Sequence, residues 1–238
     1  MASALARGIG EPVIVADAQP DKAERLAAAC GGEAVASNAE VAERADIVLL
    51  CHKPAQLHEV AIEVAPGARA IASVLAGVKL AQLETAYPDR PVFRFIPNLA
   101  VEFGAGVLCY VTGRWTPDER LLELMGRTGW VTPVDEAEIE PAMAVMSCGP
   151  AFLALVVESL AQAAGRHGLD ELEATRMVVE TMAGTATWLS SYDFDTAQLR
   201  RRVATPGGLT ERGLKTLERE GLPQALTAAV DEVVEAVR

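Results

Sequence analysis

The sequence predicts an α/β chain: a doubly wound sheet over residues 1–135, followed by an all-helical domain over residues 136–238. Three observations predict it. Short apolar runs alternate with amphipathic stretches in the first part, the pattern of strands joined by helical crossovers. One run, Ile47-Val48-Leu49-Leu50-Cys51, is apolar without interruption, as strands inside parallel sheets are. Beyond Asp135 only helical periodicity appears, and no strand pattern returns.

In chain order, residues 1–10 read as a short helix closed by glycine, and residues 13–16 as a strand ending at Asp17. A helix over 20–30 has Pro20 in its first turn and Gly31-Gly32 after it. A short strand at 33–36 and a helix at 39–44 lead to the strand at 47–51. Helices at 56–64, 80–86 and 117–127 then alternate with strands at 70–74, 92–96, 107–111 and 130–134. In the second part, residues 150–164 are apolar almost all round (Phe152, Leu153, Leu155, Val156, Val157, Leu160), so this helix is expected to be buried on every side. Helices at 171–189, 198–203 and 223–237 follow, with one more after Gly208. A helical domain this apolar is expected to form a core between subunits of a homo-oligomer, the alternative being a self-contained bundle.

Composition narrows the function. Half of the 238 residues are hydrophobic and 23% are charged, enough for a substantial core. A net charge of −12 argues against nucleic acid or an anionic membrane surface as partner. The longest dense apolar run, 151–157, is shorter than the ~18 residues that span a bilayer. No basic segment followed by an apolar one opens the chain, so a cytoplasmic location is expected. Cys30, Cys51, Cys109 and Cys148 are far apart and read as reduced thiols. His52, His58 and His167 have no clustered ligands at metal spacing, so no metal is expected.

The rest is organised around residues 203–220, VATPGGLTERGLKTLERE. Pro206 restricts one backbone angle, Gly207 and Gly208 let the backbone approach a ligand, and a helix follows at once, with Leu209, Leu214 and Leu217 on one face. Such a loop turns free N–H groups outward from a helix start, which suits a carboxylate or phosphate. Each hydrogen bond to a charged group contributes roughly 1.5–3 kcal/mol, so two or three anchor a small acid. Taken alone, Pro-Gly-Gly is more often only a turn.

The longer pattern resembles the pyrroline-5-carboxylate reductase family. Its signature, approximately V-x-S-P-G-G-x-T-x-x-G-L-x-x-L-E, stands here as Val203-Ala204-Thr205-Pro206-Gly207-Gly208-Leu209-Thr210, then Gly213-Leu214 and Leu217-Glu218. Weaker matches run upstream in the same order: Asn38, Lys53-Pro54, Ala76-Gly77-Val78, Ile96-Pro97-Asn98 and Gly149-Pro150-Ala151. The resemblance implies a Rossmann-like dinucleotide-binding domain, a helical dimerisation domain, and hydride transfer from NADH or NADPH to 1-pyrroline-5-carboxylate, giving L-proline. It implies that amides around Gly207, Gly208 and Leu209 hold the substrate carboxylate and that the Thr210 hydroxyl meets the ring nitrogen. Thr205 takes the place of the usual serine, and Val203 and Asp193 join the substrate-side set. An N-cap is the alternative role for Thr210. On the cofactor side, Asp17 ends a strand where an acid accepts the ribose 2′-hydroxyl. No arginine is adjacent, which leans the reading towards NADH. Asp17 otherwise caps the next helix. Lys53-Pro54 and Ala76-Gly77 sit after strands and would border the dinucleotide, and Asn38 and Asn98 would hydrogen-bond it.

The chain also departs from the family. A Gly-x-Gly-Asn-Met segment normally closes the first strand, and Met1 falls on that methionine. The expectation is a start about a dozen residues upstream, the alternative a truncated paralogue. Leu209, Leu99 and Met146-Ser147-Cys148 replace residues usual on the substrate side, which keeps another cyclic imine open. A catalytically impaired dimeric binding or regulatory module is a further alternative. A β-hydroxyacid dehydrogenase is disfavoured, because it needs a lysine on the interdomain helix and none lies between Lys79 and Lys215.

Overall fold

The computed structural model describes residues 1–117 and 119–237, so Asp118, which falls in the helix expected at 117–127, lies outside the described residues. The first half alternates as the sequence predicts: α1 (Ala2–Ile9), β1 (Ile14–Val15), α2 (Pro20–Cys30), β2 (Glu33–Ala34), α3 (Asn38–Arg44) and β3 (Val48–Leu50). Then come α4 (Leu57–Val64), β4 (Ile71–Ser73), α5 (Leu80–Ala86), β5 (Val92–Pro97), β6 (Gly106–Val111), α6 (Glu119–Gly126), β7 (Gly129–Pro133) and α7 (Ile139–Met146). Short 3-10 turns at Pro54–Gln56, Leu99–Phe103 and Glu136–Glu138 fill connections that the periodicity did not mark.

The strands of this doubly wound α/β domain form two sheets. β1 and β2 pair in parallel, and β3-β4-β5-β6-β7 form the larger sheet, with β5–β6 its antiparallel step. Read as β2-β1 and β3-β4-β5, the two sheets reproduce positions 3-2 and 4-5-6 of the dinucleotide-binding order, and no ladder joins β1 to β3. Residues 2–9, which would follow the first strand of that order, are helical as α1. Alternation along the strands divides the core. Val48, Leu50, Ile71, Val92 and Ile96 pack with residues of α3, α4, α5 and α7 on one face. Ala72, Phe93, Phe95 and Leu108 pack with Leu5 of α1 and Leu121 and Met125 of α6 on the other. Helices cover both faces, as a largely parallel sheet requires.

The second half is helical throughout: α8 (Gly149–Gly165), α9 (Glu171–Ser191), α10 (Thr196–Val203), α11 (Leu209–Arg219) and α12 (Leu222–Val237). The chain divides into two compact units, Met1–Cys148 and Gly149–Ala236. Asp170 and Asp195 cap α9 and α10 by accepting from Glu173 N–H (3.0 Å) and Gln198 N–H (2.8 Å). α8 pairs with α9 but, against expectation, is not buried on every side within the chain: Leu155 is 62% exposed, and Leu153 and Leu160 are also exposed. The reason is that its unit holds too few elements to surround it, which disfavours the self-contained bundle. The stretch Glu136–Gly165 is long and apolar enough, by length and composition, to cross a membrane, and only 11% of its apolar window is buried. It is not one continuous helix, however, because Ser147-Cys148 breaks it and α7 contributes Ile139 and Met146 to the first unit's core.

Candidate active site

In the first unit, parallel pairing of β3, β4 and β5 sets their carboxyl ends side by side. Lys53-Pro54, Ala76-Gly77 and Asn98 follow those three ends, so the topology brings these predicted residues to one sheet edge. Lys53 and Pro54 are exposed and start the 3-10 turn after β3. Ala76 and Gly77 are exposed too, and Gly77 adopts φ +73 with no atom within 4 Å of where a Cβ would lie, which leaves its backbone open to a ligand. Asn98 is 8% exposed and already serves the fold, its Oδ1 accepting from Val107 N–H at 3.2 Å. Asn38 opens α3 after the Ser37 cap, and its Nδ2 donates to Glu63 Oε2 at 2.8 Å. Asp17 is exposed beyond β1, and its Oδ1 accepts from Gln19 N–H at 2.8 Å in a turn ahead of α2; the cap of that helix is Gln19, so Asp17 does not take the capping role given as its alternative.

The sequence pattern did not single out His52, which precedes Lys53 at the same edge. Its Nδ1 lies 2.9 Å from Lys53 O, and its buried Nε2 has no hydrogen-bond partner among the described residues. The exposed Lys53 and the open backbone at Gly77 leave this edge accessible to a nicotinamide nucleotide. Cys51, beside it, is a poor nucleophile, because burial pushes its thiol up to about 11.

In the second unit, α10 ends at Val203, which is exposed, and the loop runs through Thr205 into α11. Gly208 N–H donates to Thr205 O at 2.9 Å and closes a tight turn. A Cβ on Gly208 would lie 2.6 Å from Thr205 Oγ1, so a side chain there would have to displace the Thr205 hydroxyl, and Gly207 adopts φ +76, which favours glycine. Gly208 is also the N-cap of α11, with no side-chain cap hydrogen bond. Thr210 therefore sits inside the first turn and is not the cap that was its alternative role. Leu209 and Thr210 are exposed, and at these helix positions the N–H groups have no intrahelical acceptor. Asp193 is exposed in the turn between α9 and α10, at φ 52.

Glu211 was also missed. Its Oε2 accepts from Gly207 N–H at 2.9 Å and its Oε1 lies 3.0 Å from Lys215 Nζ. The Gly207 N–H, and then Lys215, hold the Glu211 carboxyl below the usual carboxylate range. Two of the three amides expected to bind substrate, Gly207 and Gly208, thus have internal acceptors. A signal existed in the sequence: a glutamate in the first helical turn, four residues before a lysine. Before the loop, Arg200-Arg201-Arg202 crowd positive charge into an acidic chain, with Arg202 5.6 Å from the Tyr192 ring and Tyr192 stacked on Trp188.

Comparison with known proteins decides the family. A family model described as pyrroline-5-carboxylate reductase dimerisation matches residues 136–238, and one described as NADP oxidoreductase, coenzyme F420-dependent, matches residues 1–77. The pyrroline-5-carboxylate reductase of Mycobacterium tuberculosis is 33% identical over 248 residues, covering 92% of this chain and 84% of that protein. The chain belongs to the pyrroline-5-carboxylate reductase family. The Coxiella burnetii pyrroline-5-carboxylate reductase structure is similar at a TM-score of 0.89 and 25% identity, covering 99% of this chain and 93% of that one. The Plasmodium falciparum pyrroline carboxylate reductase structure, which has NADP bound, shares the fold at a TM-score of 0.84 and 23% identity, covering 99% and 92%. Family membership favours a reductase over the binding-module alternative.

Proposed function

We propose that the loop Thr205–Thr210 holds the carboxylate of 1-pyrroline-5-carboxylate and that Thr210 serves the ring nitrogen. The observation that carries this reading is the turn before α11, where Gly207 and Gly208 bring backbone close to a helix start with unsatisfied N–H groups. The reaction is that of the family: the C=N bond of 1-pyrroline-5-carboxylate is reduced to give L-proline. When bound, a reduced nicotinamide supplies the hydride. Leu209 and Thr210 N–H groups bind the carboxylate, and Thr205 adds a hydroxyl donor. The Thr210 hydroxyl hydrogen-bonds the ring nitrogen, orients the imine and relays the proton that the nitrogen takes up. The Arg200–Arg202 cluster offsets the overall negative charge for an anionic substrate.

Lys53, Pro54, Ala76, Gly77 and Asn98 border the nucleotide at the sheet edge, with Asn38 and Asp17 on the ribose side. The free oxygen of Asp17 accepts the 2′-hydroxyl of NADH and repels a 2′-phosphate, and Ala18 offers that phosphate no cation. Residues 1–135 form the dinucleotide-binding domain in this reading, and 136–238 the substrate and dimerisation domain. The apolar helices close a homo-oligomer, and the protein works in the cytoplasm.

The test follows oxidation of NADH and NADPH by the chain with 1-pyrroline-5-carboxylate. NADH is expected to be preferred, Asp17→Ala to narrow the preference, and Thr210→Ala to lower kcat by about 10²-fold, the usual contribution of a positioned proton donor. Unchanged turnover in Thr210→Ala would remove that residue from the mechanism. No turnover with either nucleotide would sink the reductase assignment of this chain.

A further inference from the structure

The substrate loop already holds a carboxylate, and it belongs to the chain itself. Glu211 lies in the first turn of α11 and reaches back past the Gly208 cap to Gly207 N–H, at 2.9 Å. An ordinary capping-box glutamate bonds the cap residue's own N–H. Here it goes one residue further, to an N–H at the bend the loop offers an incoming acid. Lys215, at 3.0 Å, steadies it from the next turn. The Glu211 side chain is about one-third exposed, so the contact faces solvent and can open without unpacking a core. We infer that Glu211 is an internal competitor of the substrate carboxylate and sets the affinity of the loop for small acids. This rests on the loop being the substrate site.

The consequence is a specificity filter. A ligand carboxylate that takes Gly207 N–H must displace Glu211, and one that stays on the Leu209 and Thr210 N–H groups lies beside a second negative charge. Either way an acid binds more weakly than to the same loop without Glu211, and small acids that bring few other contacts are penalised most. Lys215 limits the penalty by giving the displaced carboxylate a partner.

The experiment uses the full chain, Glu211→Ala and Glu211→Gln, with L-proline as the binding probe. The measurements are the Kd for L-proline by calorimetry, the KM for 1-pyrroline-5-carboxylate and the KM for the nucleotide. Glu211→Ala is expected to lower the first two by about three- to tenfold, the worth of one net hydrogen bond, and to leave the nucleotide KM where it was. Glu211→Gln, which keeps the shape and an acceptor but no charge, is expected to fall between. If turnover continues and both constants stay level or rise in Glu211→Ala, the competitor role is wrong while the substrate loop stands. If no form binds L-proline or reduces the imine, the loop assignment falls and takes this inference with it. Should Glu211→Ala fail to fold, the near-isosteric Glu211→Gln decides by the direction of its L-proline Kd.

Discussion

The two units of the chain are made of similarly apolar sequence and use it in opposite ways. The first unit buries its large side chains on both faces of a sheet, with Leu5, Ile71, Leu83, Phe95 and Leu121 almost wholly inaccessible. In the second unit the buried residues among those described are Gly149, Ala161 and Ala174, while Leu155, Leu172, Met177 and Leu209 are exposed. A sheet collects helices from distant parts of the chain and closes a core around itself. A pair of long helices with three shorter ones cannot enclose an all-round apolar helix, and a patch of that extent needs a partner. The family model that covers residues 136–238 is named for dimerisation, which points to a second copy as that partner.

The largest test of this contrast is Leu155→Glu on α8. If a second copy covers the residue, the change acts twice per dimer and costs about 3–6 kcal/mol of assembly from lost burial alone. Sedimentation equilibrium should report monomer or aggregate. An unchanged oligomer would place the interface elsewhere, and flotation of the wild-type protein with liposomes would show that the apolar stretch seeks lipid instead.

The first unit should break differently, without dependence on concentration. Arg94 is 2% exposed on β5 and paired with Glu136, which also accepts from Leu80 N–H, so one carboxylate ties β5, α5 and the turn before α7. Arg94→Met strands that carboxylate and is expected to cost about 3 kcal/mol in urea unfolding, the low end for a broken buried pair because Glu136 reaches solvent. Arg94→Met with Glu136→Gln should recover part of it. No recovery would mean that the loss is one of shape, not charge.

The smallest expected effect is at Tyr87, buried between α5 and β5, whose hydroxyl has no partner among the described residues. Burial pushes its phenol up to about 12 from 10. The folded state therefore holds this proton more tightly than the unfolded chain, so the stabilisation is complete below pH 10 and is lost as pH rises towards 12. Tyr87→Phe should be within about 1 kcal/mol of wild type at neutral pH and should lose less stability in alkali. Denaturant unfolding between neutral and alkaline pH checks it, and equal alkaline sensitivity in both proteins would assign the loss to other groups.

Much of the fold was legible because its signals are local. Pro20 and Gly31 bracket α2 at the residues the pattern marked, and the apolar run at 47–51 became β3. The order of strands and helices followed from period alone. The antiparallel turn at β5–β6 and the separation of the two sheets did not, since a run of apolar residues carries no record of which strand it will pair with. The site divides in the same way. Pro206-Gly207-Gly208 was readable as a helix-start loop and carried the family resemblance. Whether each named side chain was available to a ligand was not readable. Asn38 is held by Glu63, 25 residues away, and Asn98 is bonded to the neighbouring strand.

By itself the sequence determined the element order and the family, because both reside in short-range patterns of residue type. Tertiary structure alone decided that Lys53, Gly77 and Asn98 share one edge, that Arg94 is buried against Glu136, and that α8 stays uncovered within its own chain. Those outcomes depend on which distant segments meet, and the free energy that selects them is spread over the whole core.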